Sequence, residues 1–76
     1  MGRHTEPAPI DNLSTWPEPF VVPRQLADYW KFHLFTVQRW LRDGDLRGAR
    51  FRGNWRIKTD DARLFEMKLF APRKSA

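Results

Sequence analysis

The order of apolar and polar positions predicts a helix within the first half of the chain. Three apolar residues recur there at helical spacing: Leu26, Ala27 and Trp30. Such a stripe is typical of a helix that buries one face. Pro23 suits the first position of a helix, because a missing N–H leaves nothing unpaired there. We therefore expect this helix over about residues 23–30.

A second helix is expected over about residues 34–43, after a short connection. A helix turns by about 100° per residue, so the apolar residues of this segment fall on one face. They are Leu34, Val37, Trp40 and Leu41. The opposite face carries Phe35, Gln38, Arg39 and Arg42. This opposite face is cationic, and Gly44 is expected to end the helix because glycine tolerates a left-handed cap.

A β-hairpin is expected next. Two runs that can form strands are separated by three turn residues, which are Arg52, Gly53 and Asn54. A two-residue loop at the Gly-Asn pair would mix apolar and charged side chains on each face. A three-residue loop instead pairs Phe51 with Trp55, and Ala49 with Ile57, so that these apolar side chains point inward. In that register the outer face of the hairpin carries Arg50, Arg56 and Lys58, with Arg52 at the tip.

A third helix is expected over about residues 60–70. Thr59 offers an N-cap, and Asp60 and Asp61 place negative charge in the first turn, where the helix dipole favours it. Its apolar residues are Leu64, Phe65, Met67 and Phe70. Pro72 is expected to stop it.

The beginning of the chain has a different composition. Residues 1–19 contain four prolines with polar spacers, which predicts a flexible, mostly disordered arm. Within it, Trp16 either folds back over an aromatic face or is exposed. The run 20–22 suits an edge strand or a strap into the first helix. The expected organisation is an arm over 1–19, one α+β, mostly α domain over 20–71, and a tail over 72–76.

The distribution of charge along the chain says more about a possible partner than the overall composition does. The 76-residue chain carries a net charge of +5 and no cysteine, so one small domain stabilised by burial alone is expected. The stretch 31–58 holds a net charge of +6 and the rest of the chain −1. Such a segment is a candidate footprint for a phosphate backbone. Neither a membrane-length apolar run nor a signal peptide is present, which favours a cytoplasmic protein without a membrane partner.

Catalytic equipment is not expected. His4 and His33 are isolated, without a second ligand at metal spacing, so we expect neither a metal nor another cofactor. No Ser/His/Asp or Cys/His set and no phosphate-cradling glycine loop is found, which disfavours an enzyme. Four large apolar residues lie at inward positions on different elements, namely Leu26, Trp40, Trp55 and Ile57. We interpret them as core residues and not as a platform on which bases stack.

The expected order is two helices joined by a tight connection, then a hairpin, then a third helix. This is the layout of a winged helix-turn-helix domain, here with a two-stranded wing. The stretch 26–65 resembles the excisionase-family DNA-binding domains, relatives of the MerR-type regulators. The residues that carry the resemblance are Leu26-Ala27-Asp28, the run 36–46 (TVQRWLRDGDL) and the wing 50–57 (RFRGNWRI). At turn positions where the family usually has Gly and a small hydroxyl residue, this chain has Lys31 and His33. Lys31 is therefore expected to adopt an unusual backbone angle or to shift the turn.

The resemblance implies that the second helix enters the major groove of double-stranded DNA while the wing reaches the minor groove or its phosphates. The recognition-helix candidates are Phe35, Thr36, Gln38, Arg39 and Arg42. The wing candidates are Arg50, Arg52, Asn54, Arg56 and Lys58. Gln38 suits adenine and Arg39 suits guanine, whereas Arg42 suits a phosphate.

The function implied is that of a recombination directionality factor of a phage or mobile element, associated with the bacterial nucleoid. Such a factor bends DNA, assists an integrase and self-associates cooperatively on neighbouring sites. Two alternatives remain open at this point. One is a small transcriptional regulator at an operator. The other is a protein-interaction adaptor that uses Trp16, Phe20 and the third helix.

Overall fold

The computed structural model describes residues 7–71 of the chain, which form an α+β fold. The elements are a 3₁₀ turn (Leu13–Thr15), β1 (Phe20–Val21), α1 (Pro23–Trp30), α2 (Leu34–Asp43), β2 (Ala49–Phe51), β3 (Asn54–Lys58) and α3 (Thr59–Leu69). The strands form one antiparallel sheet in the order β1-β3-β2. The first six residues of the expected arm, with His4, and the expected tail over 72–76, with Pro72, lie outside the described residues.

The first two helices confirm the bounds predicted from the sequence. Pro23 occupies the first turn of α1, and Lys31 caps its end in the left-handed region with φ 65°. The unusual angle expected of Lys31 is therefore present, and it bends the chain into the connection. The Nδ1 atom of His33 accepts a hydrogen bond of 3.1 Å from the backbone N–H of Phe35, which caps the start of α2. Gly44 ends α2 with φ 87°.

The third helix begins one residue earlier than predicted, and its expected cap is wrong. Thr59 is the first residue of α3, and its hydroxyl donates to the carbonyl oxygen of Glu18 at 2.6 Å. Its backbone N–H is bonded to the carbonyl oxygen of Pro19 at 2.9 Å. Tertiary contacts with the preceding segment thus replace the capping role. Asp60 and Asp61 do lie in the first turn.

The hairpin register differs from the prediction. Phe51 pairs with Asn54, Arg50 with Trp55 and Ala49 with Arg56, so the loop has two residues, Arg52 and Gly53. Both have positive φ, 53° and 82°, as the primed turns of tight hairpins require. The prediction was wrong because an arginine at positive φ carries no signal in the residue type, so the turn was centred too late.

The observed register changes which side chains share a face. Trp55 and Ile57 point inward, with Ile57 fully buried. Arg50 lies opposite Trp55 and therefore on the inner face, not on the outer face that was predicted. Ala49 and Phe51 point away from the core and are exposed, which also corrects their predicted inward position. We call the side of the sheet that faces away from the helices the outer face; it carries Phe20, Ala49, Phe51, Asn54, Arg56 and Lys58.

The core lies between the sheet and the helices. Leu26 and Ile57 are fully buried in it, as predicted, and Trp40 and Trp55 pack against it half-buried. Trp40 lies 5.0 Å from the ring centre of Phe65 and 6.4 Å from that of Trp30, which joins all three helices. This cluster holds α2 with its cationic face toward solvent.

The proline-rich segment before β1 is packed and not disordered over residues 10–16. Ile10 and Leu13 belong to the core, and Trp16 folds back against it. The guanidinium of Arg63 donates to the carbonyl oxygens of Leu13 at 2.9 Å and Trp16 at 3.1 Å. The amide of Gln25 donates to the carbonyl oxygen of Ala8 at 2.7 Å. The arm expected over 1–19 is thus corrected for its packed part, because distant partners supply what its local sequence lacks.

The solvent side of α3 is apolar. Leu64, Met67 and Phe70 are exposed, whereas Phe65 and Leu69 pack against the core. In the part of the chain that the structure describes, no helix has the length and apolarity needed to span a bilayer.

Candidate nucleic-acid interface

The first half of the site is the exposed side of α2. Val37 and Leu41 are buried, and this anchors the opposite side of the helix toward solvent. Phe35, Arg39 and Arg42 are exposed there. The two remaining candidates, Thr36 and Gln38, are half-buried. The predicted recognition-helix residues are therefore accessible along one side, with Gln38 at its border.

The cations of α2 are held only weakly by other side chains. Arg39 lies 4.0 Å from the carboxylate of Asp43 one turn later, and both side chains are more than half exposed. An exposed pair of this kind contributes about 0 to 1 kcal/mol, so Arg39 can exchange it for an external acceptor at little cost. The guanidinium of Arg42 lies 5.8 Å from the ring centre of Phe35. The ring of Phe35 therefore supports this cation.

The second half of the site is the turn of the hairpin. Arg50 stacks over Trp55 at 5.5 Å, and Arg52 stacks over Phe51 at 5.4 Å. Stacking of this kind orients a guanidinium without neutralising it. Within residues 7–71, none of the predicted wing cations lies within 4.0 Å of a carboxylate. The positive charge of the wing thus remains available to an external anion.

The two halves meet in one shallow groove. Its volume is about 310 Å³, and it is bordered by the start of α1, by α2 and by the hairpin turn. Leu34 and Gln38 line it from α2, and Gly53, Asn54 and Trp55 line it from the hairpin. The turn of the wing is therefore next to the side of α2 that carries Leu34 and Gln38.

Not all predicted wing residues join this surface. Arg56 and Lys58 alternate with Trp55 and Ile57 along β3, so their side chains leave the sheet on the outer face. There they line a separate groove of about 400 Å³ together with Arg47. The ten predicted site residues are thus divided. Eight lie on α2 or around the hairpin turn, where Asn54 borders the groove although it belongs to the outer face, and two lie only on the opposite side of the sheet.

Sequence reasoning did not single out two cations that the structure places beside these grooves. Arg24, in the first turn of α1, borders the groove between α2 and the hairpin. It lies 3.9 Å from the exposed carboxylate of Asp28. Arg47 precedes β2 and borders the outer groove. The net charge of the stretch 31–58 included Arg47, but no local pattern shows which groove a loop residue borders.

The described residues contain no cluster of three or more His, Asp or Glu side chains that could hold a metal ion. Comparison of the chain with models of protein families, with curated protein sequences and with solved structures found no significant match.

Proposed function

We propose that this protein binds double-stranded DNA in a sequence-specific manner, as a winged helix-turn-helix domain. The observation that carries the proposal is the groove that Gln38 of α2 shares with Gly53 and Asn54 of the hairpin turn. It supports one continuous basic surface formed by α2 and the wing. The tight connection from α1 to α2, through the left-handed Lys31, is compatible with this layout.

In the proposed complex, α2 lies in the major groove. Arg39 offers a forked donor pair that matches guanine, and Gln38 offers a donor and an acceptor that match adenine. Arg42, one turn further along, would contact a phosphate. Phe35, exposed under that guanidinium, offers an apolar surface to a thymine methyl group. These residues would supply the sequence preference.

The wing would supply position and affinity. Arg50 and Arg52 are held over aromatic rings near the hairpin turn, and Asn54 follows the turn. A narrow minor groove concentrates negative potential and attracts such guanidinium groups. We place Arg56 and Lys58 outside this interface, since they project from the outer face of the sheet.

The biological role that we propose is that of an excisionase-like directionality factor, which rests on the resemblance of residues 26–65 to that family. A domain of this size makes few DNA contacts, so several copies on neighbouring sites would be needed for useful specificity. Leu64 and Met67 on the solvent side of α3 are available for contact with an integrase or a neighbouring copy. A small transcriptional regulator that binds an operator is the second candidate, because the same surface would serve it.

A gel-shift and footprinting experiment on DNA flanking the protein's own gene tests both levels of the proposal. Protection of tandem sites beside a recombination attachment site supports the directionality factor. Protection of one inverted repeat over a promoter supports the regulator. Duplex binding should weaken with salt by a log–log slope of about −0.9 per neutralised phosphate. Absence of any salt-dependent duplex binding would contradict DNA binding as such.

A further inference from the structure

The outer face of the sheet forms a second surface with its own chemistry. Phe20 of β1 lies opposite Lys58 of β3, and Phe51 of β2 lies opposite Asn54 at the other end of β3. Directly paired residues share a face, so both phenylalanines stand on the outer face. Strand rise and strand spacing put the two rings about 17 Å apart, at diagonal corners of the sheet.

Both phenylalanine rings are open to solvent. Phe20 is 44% exposed and Phe51 is 58% exposed. Both rings lie on the same face of a three-stranded sheet. Arg52 stacks over the ring of Phe51 from the hairpin turn and adds a cation beside it.

The space between the rings is cationic. Arg56 and Lys58 of β3 stand between the two corners, and Arg47 borders the groove of about 400 Å³ that they share with Phe20. One carboxylate, Asp61, also borders this groove. Within residues 7–71, none of these three cations lies within 4.0 Å of a carboxylate oxygen. The face therefore combines unpaired positive charge with two exposed aromatic rings.

We infer that the outer face is a second nucleic-acid site that binds a single strand, with bases stacked on Phe20 and Phe51. Arg47, Arg56 and Lys58 contact the phosphates between them. Most of this site lies on the other side of the sheet from Trp55, which lines the groove beside α2, and the two surfaces meet only at the hairpin turn, where Arg52 stacks over Phe51. The inference does not depend on the duplex proposal.

A single strand fits this face better than a duplex does. Cations alone would serve a duplex backbone, so the two exposed rings on this face point to bases that are not paired. The faces of paired bases are covered by their neighbours in the stack, so only unpaired bases can lie on a phenylalanine ring. The combination of a basic groove with separate aromatic platforms is the one that single-strand binding uses, with little dependence on base sequence.

Fluorescence anisotropy of the whole protein with a labelled oligothymidine of about 12 nucleotides tests the inference. Phe20→Ala and Phe51→Ala should each weaken binding about fivefold or more, because each loses one stacked base. Phe51→Tyr should retain binding, since the ring is kept. Phe70→Ala is the matched control, because it removes an equally exposed phenylalanine that directly follows α3, away from the sheet.

The salt dependence and a second α2 variant complete the test. Three neutralised phosphates predict a log–log slope of about −2 for the single strand. Arg39→Ala should leave oligothymidine binding unchanged while it weakens duplex binding, so that failure of either site is seen separately. If Phe20→Ala fails to fold, Phe51→Ala still decides the matter. Two results would overturn the inference: both Ala variants binding the single strand like the parent, or Phe70→Ala weakening that binding as much as they do.

Discussion

The Nε of Arg63 donates a hydrogen bond of 2.9 Å to the carbonyl oxygen of Leu13, fifty residues earlier in the chain. The same guanidinium reaches the carbonyl oxygen of Trp16 and the carboxylate of Asp60. One side chain of α3 thus closes the 3₁₀ turn and holds the segment before β1 against the helices.

Arg63→Ala should lower the free energy of unfolding by about 2 kcal/mol, because two part-buried carbonyl oxygens lose a charged donor. Urea unfolding followed by tryptophan fluorescence measures this. Arg24→Ala is the control, since Arg24 makes only an exposed ion pair, and it should change the stability by less than about 0.5 kcal/mol. Equal effects of the two variants would contradict the structural role of Arg63.

Lys31→Gly should stabilise the protein by about 0.5 to 1 kcal/mol. Lys31 holds φ 65° at the end of α1, where a side chain is strained and glycine is not. Lys31→Ala removes the same charge but keeps the Cβ atom, so it should give no such gain. Thermal unfolding of the pair separates backbone strain from charge. A gain in both variants would point to charge instead.

The hairpin turn should show opposite effects on stability and binding. Arg52 and Gly53 both have positive φ, and Asn-Gly is the preferred pair in such a turn. Arg52→Asn should therefore raise the stability by roughly 0.5 kcal/mol and at the same time weaken duplex binding. Thermal unfolding and a gel shift on the same samples measure both quantities. Stronger duplex binding by Arg52→Asn would exclude a phosphate contact for this arginine.

Arg39→Ala and Arg52→Ala should differ in how they weaken duplex binding. Loss of a forked base contact should cost about 1 to 3 kcal/mol on the preferred site and relax the sequence preference. Loss of Arg52 should weaken all duplexes alike and reduce the salt slope by about 1. Lys68→Ala, on α3, serves as the charge-matched control and should bind like the parent. Unchanged binding by Arg39→Ala would remove α2 from the interface.

The sequence predicted α1 and α2 to the residue, and two of their four ends are set locally. Pro23 starts one and Gly44 ends the other, and both signals depend on backbone geometry that the residue type alone imposes. The exposed candidates on α2 follow from the same helical period. These parts of the fold and of the site needed no knowledge of tertiary contacts.

The remaining parts depend on contacts between distant residues. The hairpin register was set by an arginine at positive φ, which local sequence does not favour. That one shift moved Arg50 to the inner face and Phe51 to the outer face. The packing of Ile10 and Leu13 was not predicted, because the prolines around them indicated a disordered segment. Two large apolar residues in that segment were nevertheless a usable signal of burial.

The hydrogen bonds that hold Leu13 also affect when the chain can fold during its synthesis. Leu13 is fully buried, yet the groups that hold it, Tyr29 and Arg63, come later in the chain. During synthesis on the ribosome, the segment around Leu13 therefore stays exposed to solvent until α3 has emerged. Contacts this far apart in sequence slow folding, since the loop between them must close first. The emergence of α3 thus decides when this segment of the nascent chain becomes protected from proteases.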